Sequence, residues 1–65
     1  SIFQAGSLLD KAVEYPDASG TLTLGLVQDV RLDSKGNVKL GLSNGTEIEI
    51  DSIRRVLVPP TTTAA

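Results

Sequence analysis

The side chains with the greatest chemical potential in this chain are four carboxylates at short spacings. Asp29 and Asp33 precede one turn, and Glu47 and Glu49 follow another. Paired carboxylates can act as general acid and base, but apolar and polar residues alternate around all four, which is typical of the solvent face of a strand. The chain has no histidine and no cysteine, so the common nucleophile–base pairs cannot form. We therefore predict a non-enzymatic protein with no catalytic residue.

The run Asp-Ser-Lys-Gly-Asn at 33–37 has some features of a calcium-binding loop. It lacks the repeated acidic ligands and the closing glutamate of such a loop, so we interpret it as a turn. Without histidine or cysteine, a zinc site is also excluded. We expect no metal, no cofactor and no small-molecule substrate.

Three side chains are candidate contacts for a partner, namely Tyr15, Arg54 and Arg55. Alternatively, the arginines are a solvated pair and the tyrosine ring covers one end of the fold with its hydroxyl in water. Small barrels that bind single-stranded nucleic acid stack bases on aromatic side chains in a positive groove. The chain has two aromatic residues and a net charge of −2. We predict a protein partner and no nucleic acid, with RNA contact through the arginines as a further alternative.

The length of 65 residues limits the chain to one small domain, which buries only about 60% of its unfolded surface. No apolar run approaches the roughly 20 residues that span a bilayer, so we expect no membrane association. The chain has no methionine, and we interpret it as a domain excised from a longer protein. We expect a lead-in segment at 1–7, a β-barrel at 8–58 and a Pro/Thr/Ala tail or linker at 59–65.

Apolar residues recur at alternate positions between 21 and 33, which indicates a long strand. Gln28 and Val27 break the pattern, and for Gln28 either the strand leaves the core there or a bulge after Leu26 shifts the phase. Gly25 is expected to let the strand bend. The even positions continue through the next two strands, and we predict one core that contains Leu22, Leu24, Val30, Leu32, Leu40, Ile48 and Ile50.

Two loops that contain glycine define the hairpins that follow this strand. A two-residue turn at Asn44-Gly45 would pair leucines with glutamates, whereas a three-residue loop that ends at Gly45 pairs Leu40 with Ile48. A three-residue loop that ends at Gly36 follows the same rule. We therefore predict left-handed backbone at both glycines.

Three shorter elements complete the predicted fold. A first strand at 12–15 ends in the turn-rich segment 16–20, which Gly20 closes. Asp51 is expected to cap one helical turn at 51–53, before a last strand at 54–58. Five antiparallel strands with one 3₁₀ turn before the last favour an all-β, SH3-like (Tudor-like) barrel, because an open sheet would leave two long edges.

A pattern of turn glycines and aliphatic residues extends from Gln4 to Val56. It contains Ala-Gly-Ser-Leu-Leu-Asp-Lys-Ala-Val-Glu-Tyr at 5–15, Gly-Leu-Val at 25–27, Gly-Asn-Val at 36–38 and Ile-Asp-Ser-Ile at 50–53. This pattern resembles the small β domain of the bacterial flagellar hook assembly protein, also called the hook-capping or basal-body rod-modification protein. That family opens with Leu-Ile-Gly-Lys-x-Val-x-Tyr, and Asp10 stands where the family usually has glycine.

The resemblance implies a structural module of a scaffold that caps the growing hook and is needed for hook assembly. Its partners would be hook subunits or further copies of the scaffold. The protein would be exported unfolded to the bacterial flagellum. The family supplies no catalytic residues.

A second resemblance covers the part from Gly25 to Val56. The strand Gly-x-Val-x-Asp-Val-x-x-Asp, followed by Asp-Ser-Ile-Arg-Arg-Val at 51–56, is similar to the PRC-barrel. This similarity implies an adaptor domain that binds a cytoplasmic protein partner. The spacing from Tyr15 to Gly25 fits the hook protein better.

Overall fold

A computed structural model describes residues 2–59 of the chain. The described residues form one antiparallel sheet of five strands, with a 3₁₀ turn before the last strand, as the sequence predicted. The elements are α1 (Ile2–Ala5), a 3₁₀ turn (Gly6–Leu8), β1 (Ala12–Pro16), β2 (Leu22–Leu32), β3 (Val38–Leu42), β4 (Glu47–Glu49), a second 3₁₀ turn (Ile50–Ser52) and β5 (Arg55–Leu57).

Strand β2 is shared between two parts of the sheet. The strand order is β4-β3-β2-β1-β5. The first half of β2 pairs with β1, from Leu22 opposite Pro16 to Leu26 opposite Ala12. Its second half pairs with β3, ending with Leu32 opposite Val38. The long strand therefore joins the β5-β1 pair to the β3-β4 hairpin.

A β-bulge separates the two halves of β2. The register with β3 shifts between Val27 and Asp29, which leaves Gln28 without a partner residue. The hypothesis of a phase shift near Gln28 is thus confirmed. Because side chains alternate across a strand, one extra residue exchanges the two faces. Before the bulge the buried residues are Gly25 and Val27, at odd positions, and after it the partly buried Val30 packs against the core.

The predicted core is wrong for the leucines of β2. Leu22 is 55% exposed and Leu24 is 57% exposed, because the phase shift at the bulge places the even-numbered side chains before it on the outer face of the sheet. Leu32 is 50% exposed at the end of the strand. Leu40 and Ile48 are buried as predicted. With three of the seven predicted core residues exposed, the alternation in the sequence no longer supports closure of the sheet into a barrel.

Ile50 also departs from its predicted place, since it begins the second 3₁₀ turn and is half-buried. The observed core is a single aliphatic cluster around one tyrosine, formed by Val13, Tyr15, Val27, Leu40, Leu42 and Ile48.

Gly25 leaves the space that two core side chains occupy. A Cβ atom there would lie 2.7 Å from Leu42 Cδ1 and 3.2 Å from Tyr15 Cε1. The residue has no positive φ, so close packing and not backbone conformation is what requires a glycine at this point.

Three hairpin loops of the sheet have the same backbone geometry. Each ends in a glycine with positive φ, 86° at Gly20, 82° at Gly36 and 85° at Gly45, which confirms the prediction for the last two. In each loop the glycine N–H donates to the carbonyl three residues before it. Asn44 accepts a hydrogen bond from the Thr46 N–H within a three-residue loop, so the two-residue turn is absent there.

Two of these loops begin with an aspartate that organises the turn. Asp17 accepts hydrogen bonds from the Ser19 hydroxyl and from backbone N–H groups, and these bonds lower its pKa below the ordinary value. Asp33 accepts from the backbone N–H groups of Asn37 and Lys35, and its pKa is also lowered, mainly by the Asn37 bond. Both carboxylates therefore favour the folded turn in their charged form.

The ends of the fold differ from the prediction in three ways. The predicted lead-in contains α1 and a 3₁₀ turn, and Ala5 is buried. Asp51 does not cap the second 3₁₀ turn, because that turn begins one residue earlier and its N-cap, Glu49, makes no side-chain cap bond. The last strand is shorter than predicted, at Arg55–Leu57. Most of the predicted tail, 60–65, lies outside the described residues, and the domain limits stay predictions.

We expect Gly25→Ala to lower the free energy of unfolding by about 1–3 kcal/mol, because the added methyl overpacks the contact with Leu42 and Tyr15. Urea unfolding followed by circular dichroism measures the change. Gly6→Ala is the control, since a Cβ there meets nothing within 4 Å and the expected change is within about 0.5 kcal/mol. A Gly25→Ala protein as stable as the parent would contradict the packing.

The turn aspartates make stability depend on acid pH. A lowered pKa in the fold means that the contribution is present above the unfolded value of about 3.9 and is lost as the pH falls through the folded value. We expect the Asp17→Asn, Asp33→Asn double variant to lose less stability than the parent between about pH 5 and pH 2. Urea midpoints across this range measure it, with the exposed Asp51→Asn as control. Parallel curves for parent and double variant would contradict the role of the two turns.

Candidate interaction surface

An apolar row lies on the outer side of the sheet, opposite the core. Leu22, Leu24 and Leu26 of β2 are all exposed there, the last at 36%. Residues directly opposite each other in a sheet share a face. The cross-strand neighbours of Leu22 and Leu26 on β1 are Pro16 and Ala12, which are also apolar. We call these five residues the leucine face.

One ion pair lies on the same side of the sheet as the leucine face. Glu14 is opposite Leu24 on one side and opposite Arg55 of β5 on the other. The Arg55 guanidinium donates to both carboxylate oxygens, with Nε–Oε1 at 3.2 Å and Nη2–Oε2 at 3.0 Å. An exposed pair of this kind contributes less than about 1 kcal/mol to stability. Glu14 lies on the same face as the leucines, between Ala12 and Pro16, so this surface is apolar with one charged pair in it, and the two charges of that pair compensate each other.

A shallow groove, largely open to solvent, lies at one end of this surface. Ala12, Leu24 and Leu26 line one side, and Ser43 and Asn44 line another. Pro59 also contributes to the wall. The groove has the mostly apolar lining with a few polar groups that ligand sites have, but it is too open to enclose a small molecule.

The four carboxylates singled out in the sequence are each engaged by neighbouring groups, and Asp33 and Glu49 share Lys39, whose Nζ lies 4.0 Å from the first and 2.7 Å from the second. Glu49 accepts a hydrogen bond from Lys39 Nζ at 2.7 Å, and Glu47 forms an ion pair with Arg31. Asp29 covers Gly41, where a Cβ would lie 2.6 Å from Asp29 Oδ2. The Asp33 carboxylate accepts hydrogen bonds from backbone N–H groups within the turn at 33–37. Across the described residues 2–59, no group of three or more potential metal ligands comes together.

The candidate partner contacts are not brought together. Tyr15 is only 3% exposed, and its hydroxyl accepts a hydrogen bond from Asn44 Nδ2 at 3.0 Å. Burial argues against a direct contact between this ring and a partner, because the ring belongs to the core. Arg55 is held by Glu14. Arg54 is exposed, and its backbone N–H donates to the Glu14 carbonyl at 2.7 Å.

The sequence prediction missed the leucine face because it assigned these leucines to the core. The signal that could have found it was Gln28. A polar residue at an inward position, followed by resumed alternation, marks a bulge, and a bulge requires that one half of the strand faces the other way.

Comparison with protein-family models, curated proteins and solved structures finds no match for this chain. Among residues 2–59 no helix has the length and apolar character needed to cross a membrane.

Proposed function

We propose that this chain is a non-enzymatic interaction module that docks a partner protein on the leucine face. The observation that carries the proposal is the row of three exposed leucines beside a shallow, mostly apolar groove. Contiguous apolar patches on small soluble domains mark interaction sites more often than single exposed residues do. Aromatic side chains and uncompensated positive charge are lacking on this face, which favours a protein over a nucleic acid as partner.

Burial of this face would release substantial free energy. Covering a fully exposed leucine side chain stabilises a complex by about 1.5–3 kcal/mol, and Leu22 and Leu24 each expose more than half of their surface. The Glu14–Arg55 pair needs no charged group from the partner, because the two side chains already satisfy each other. A partner with an apolar surface and few charges therefore fits the site.

The fold we propose in finer detail is a small SH3-like barrel. Its support is the position of β2, which pairs with β1 in one half and with β3 in the other. The bulge between the halves bends a shared strand, and such bends let a small sheet curl on itself. β4 and β5 are the two outer strands of the described sheet, and closure of the barrel would bring these two strands together.

We further propose that the parent protein is a flagellar hook-capping scaffold, as the sequence resemblance implies. Asp10 stands where the family has glycine, and its backbone conformation supports the proposal despite this difference. Its φ is +67°, in the left-handed region that glycine adopts without cost. Aspartate is one of the few other residues that tolerate this conformation. On this proposal the protein is exported to the flagellum and the partner is the hook subunit.

The PRC-like adaptor is the alternative, with the same face docking a cytoplasmic protein. The structure weakens the RNA-binding alternative, because Arg55, one of its two proposed phosphate contacts, is already paired with Glu14. Arg54 alone would be left to neutralise phosphates, and the binding of nucleic acid needs several such contacts.

Calorimetric titration of the 65-residue chain with purified hook subunits tests the proposal. We expect binding that Leu22→Glu weakens at least about tenfold, because the loss of an apolar contact of about 1 kcal/mol is joined by the cost of burying an unpaired carboxylate. Leu32→Glu is the matched control. It changes a leucine of the same strand with 50% exposure, on the other side of the bulge, and we expect it to bind like the parent.

Three outcomes would count against parts of this account. If the parent chain does not bind hook subunits, the scaffold role is wrong and the adaptor moves ahead. If the two variants weaken binding equally, the leucine face is not the docking surface. Binding that disappears as salt is raised would point to charged contacts instead of apolar ones.

A further inference from the structure

Half of β2 has a backbone edge that no described strand covers. Strand β1 pairs with positions 22–26 from one side, and β3 begins to pair only at Val27. Within the described residues, no strand pairs with the other side of 22–25, and this stretch is therefore a sheet edge.

Backbone hydrogen bonds identify the groups that point toward this edge. The carbonyls of Thr21 and Val27 accept from residues that flank β1. Alternate residues of an antiparallel strand bond to opposite neighbours, so Leu22 and Leu24 direct their N–H and C=O groups away from β1. The Leu26 carbonyl also points away from β1, because it accepts a hydrogen bond at 2.8 Å from the Ser43 N–H on the β3 side.

This edge lacks the features that normally prevent sheet edges from pairing. Natural edges carry lysines, inward charges, prolines or bulges. The segment 18–28 contains no charged residue and no proline, and the bulge lies beyond its paired part, at Gln28. The residues whose backbone is open, Leu22 and Leu24, also have exposed apolar side chains. An edge of this kind is a template for an added strand.

We propose that the added strand comes from a second copy of this chain, paired antiparallel through the same edge. The sequence of the edge is self-complementary, because Leu22-Thr23-Leu24 reads the same in both directions. A two-fold axis at Thr23 places Leu22 opposite Leu24 of the partner subunit, where both backbone bonds are exchanged. Thr23 then lies opposite its own copy, and threonine pairs across strands are favourable. The four leucines form one apolar strip on the outer face.

Charge and size limit the strength of this pairing. The segment 18–28 is itself uncharged, but the Asp17 carboxylate lies 3.4 Å from Thr23 Oγ1, so a carboxylate from each copy approaches the axis and the repulsion weakens the dimer. The Ser43 loop occupies the Leu26 carbonyl and limits the pairing to a short stretch. Interfaces below about 1,200 Å² are characteristically weak and transient. The association is therefore concentration-dependent, as suits a module that acts in a multi-copy assembly.

Sedimentation velocity and amide hydrogen exchange of the 65-residue chain, from about 10 µM to about 1 mM, test the pairing directly. We expect a shift from monomer to dimer, with at least tenfold slower exchange at the Leu22 and Leu24 amides in the dimer. A chain that is monomeric at the highest concentration overturns the proposal. A dimer in which these two amides exchange as in the monomer also overturns it, because the copies then meet elsewhere.

Leu24→Lys places a charge on the open edge and should abolish the dimer. Leu32→Lys is the matched control on the same strand, at a position already paired with Val38, and should associate like the parent. Equal loss in both variants would mean non-specific apolar association and would overturn the edge pairing. The inference extends the proposed interaction role, but no partner protein is present in this experiment. A chain that stays monomeric would therefore overturn the edge pairing without deciding whether the leucine face binds hook subunits, which the calorimetric titration tests separately.

Discussion

In an antiparallel sheet the side chains of a strand alternate between two faces. One extra, unpaired residue therefore reverses which positions face the core before it and after it. In this chain that residue is Gln28. The shift between Val27 and Asp29 lets β2 contribute to the core from both halves while its partner changes from β1 to β3. The same shift turns the leucines before it outward. The core, the bend of the shared strand and the apolar outer surface therefore all depend on this single irregularity.

The exposed leucines have a compensating feature inside the fold. On the core side of the first half of β2, Gly25 contributes no side chain, and Tyr15 and Leu42 fill that space. The large side chains of this half of β2 therefore lie on the outer face, and the neighbouring strands supply the side chains that fill the core beside Gly25. Such an arrangement costs apolar exposure in the isolated chain, and it is consistent with a surface that is covered in an assembly. The uncharged open edge lies on the same half of the strand.

The sequence predicted the elements that depend on local chemistry. Gly36 and Gly45 marked the hairpins and fixed the pairing of Leu40 with Ile48, because carboxylates could not be placed in the core. The phase of β2 before the bulge could not be read in the same way. Its inward residues include Gly25, which has no side chain to reveal its face, and leucine outside is indistinguishable by pattern from leucine inside. The leucine face was missed because the phase was extended through Gln28, the one position that signalled the shift.

The absence of cysteine allows a direct test of which face of β2 is inside. Single-cysteine variants Leu24→Cys and Val27→Cys would be treated with a maleimide under native conditions. The account predicts that the thiol at 24 reacts at the rate of an exposed thiol, and that the thiol at 27, in a fully buried position, is protected until the protein unfolds. Protection at 24 together with rapid labelling at 27 would place the leucines in the core and contradict the account.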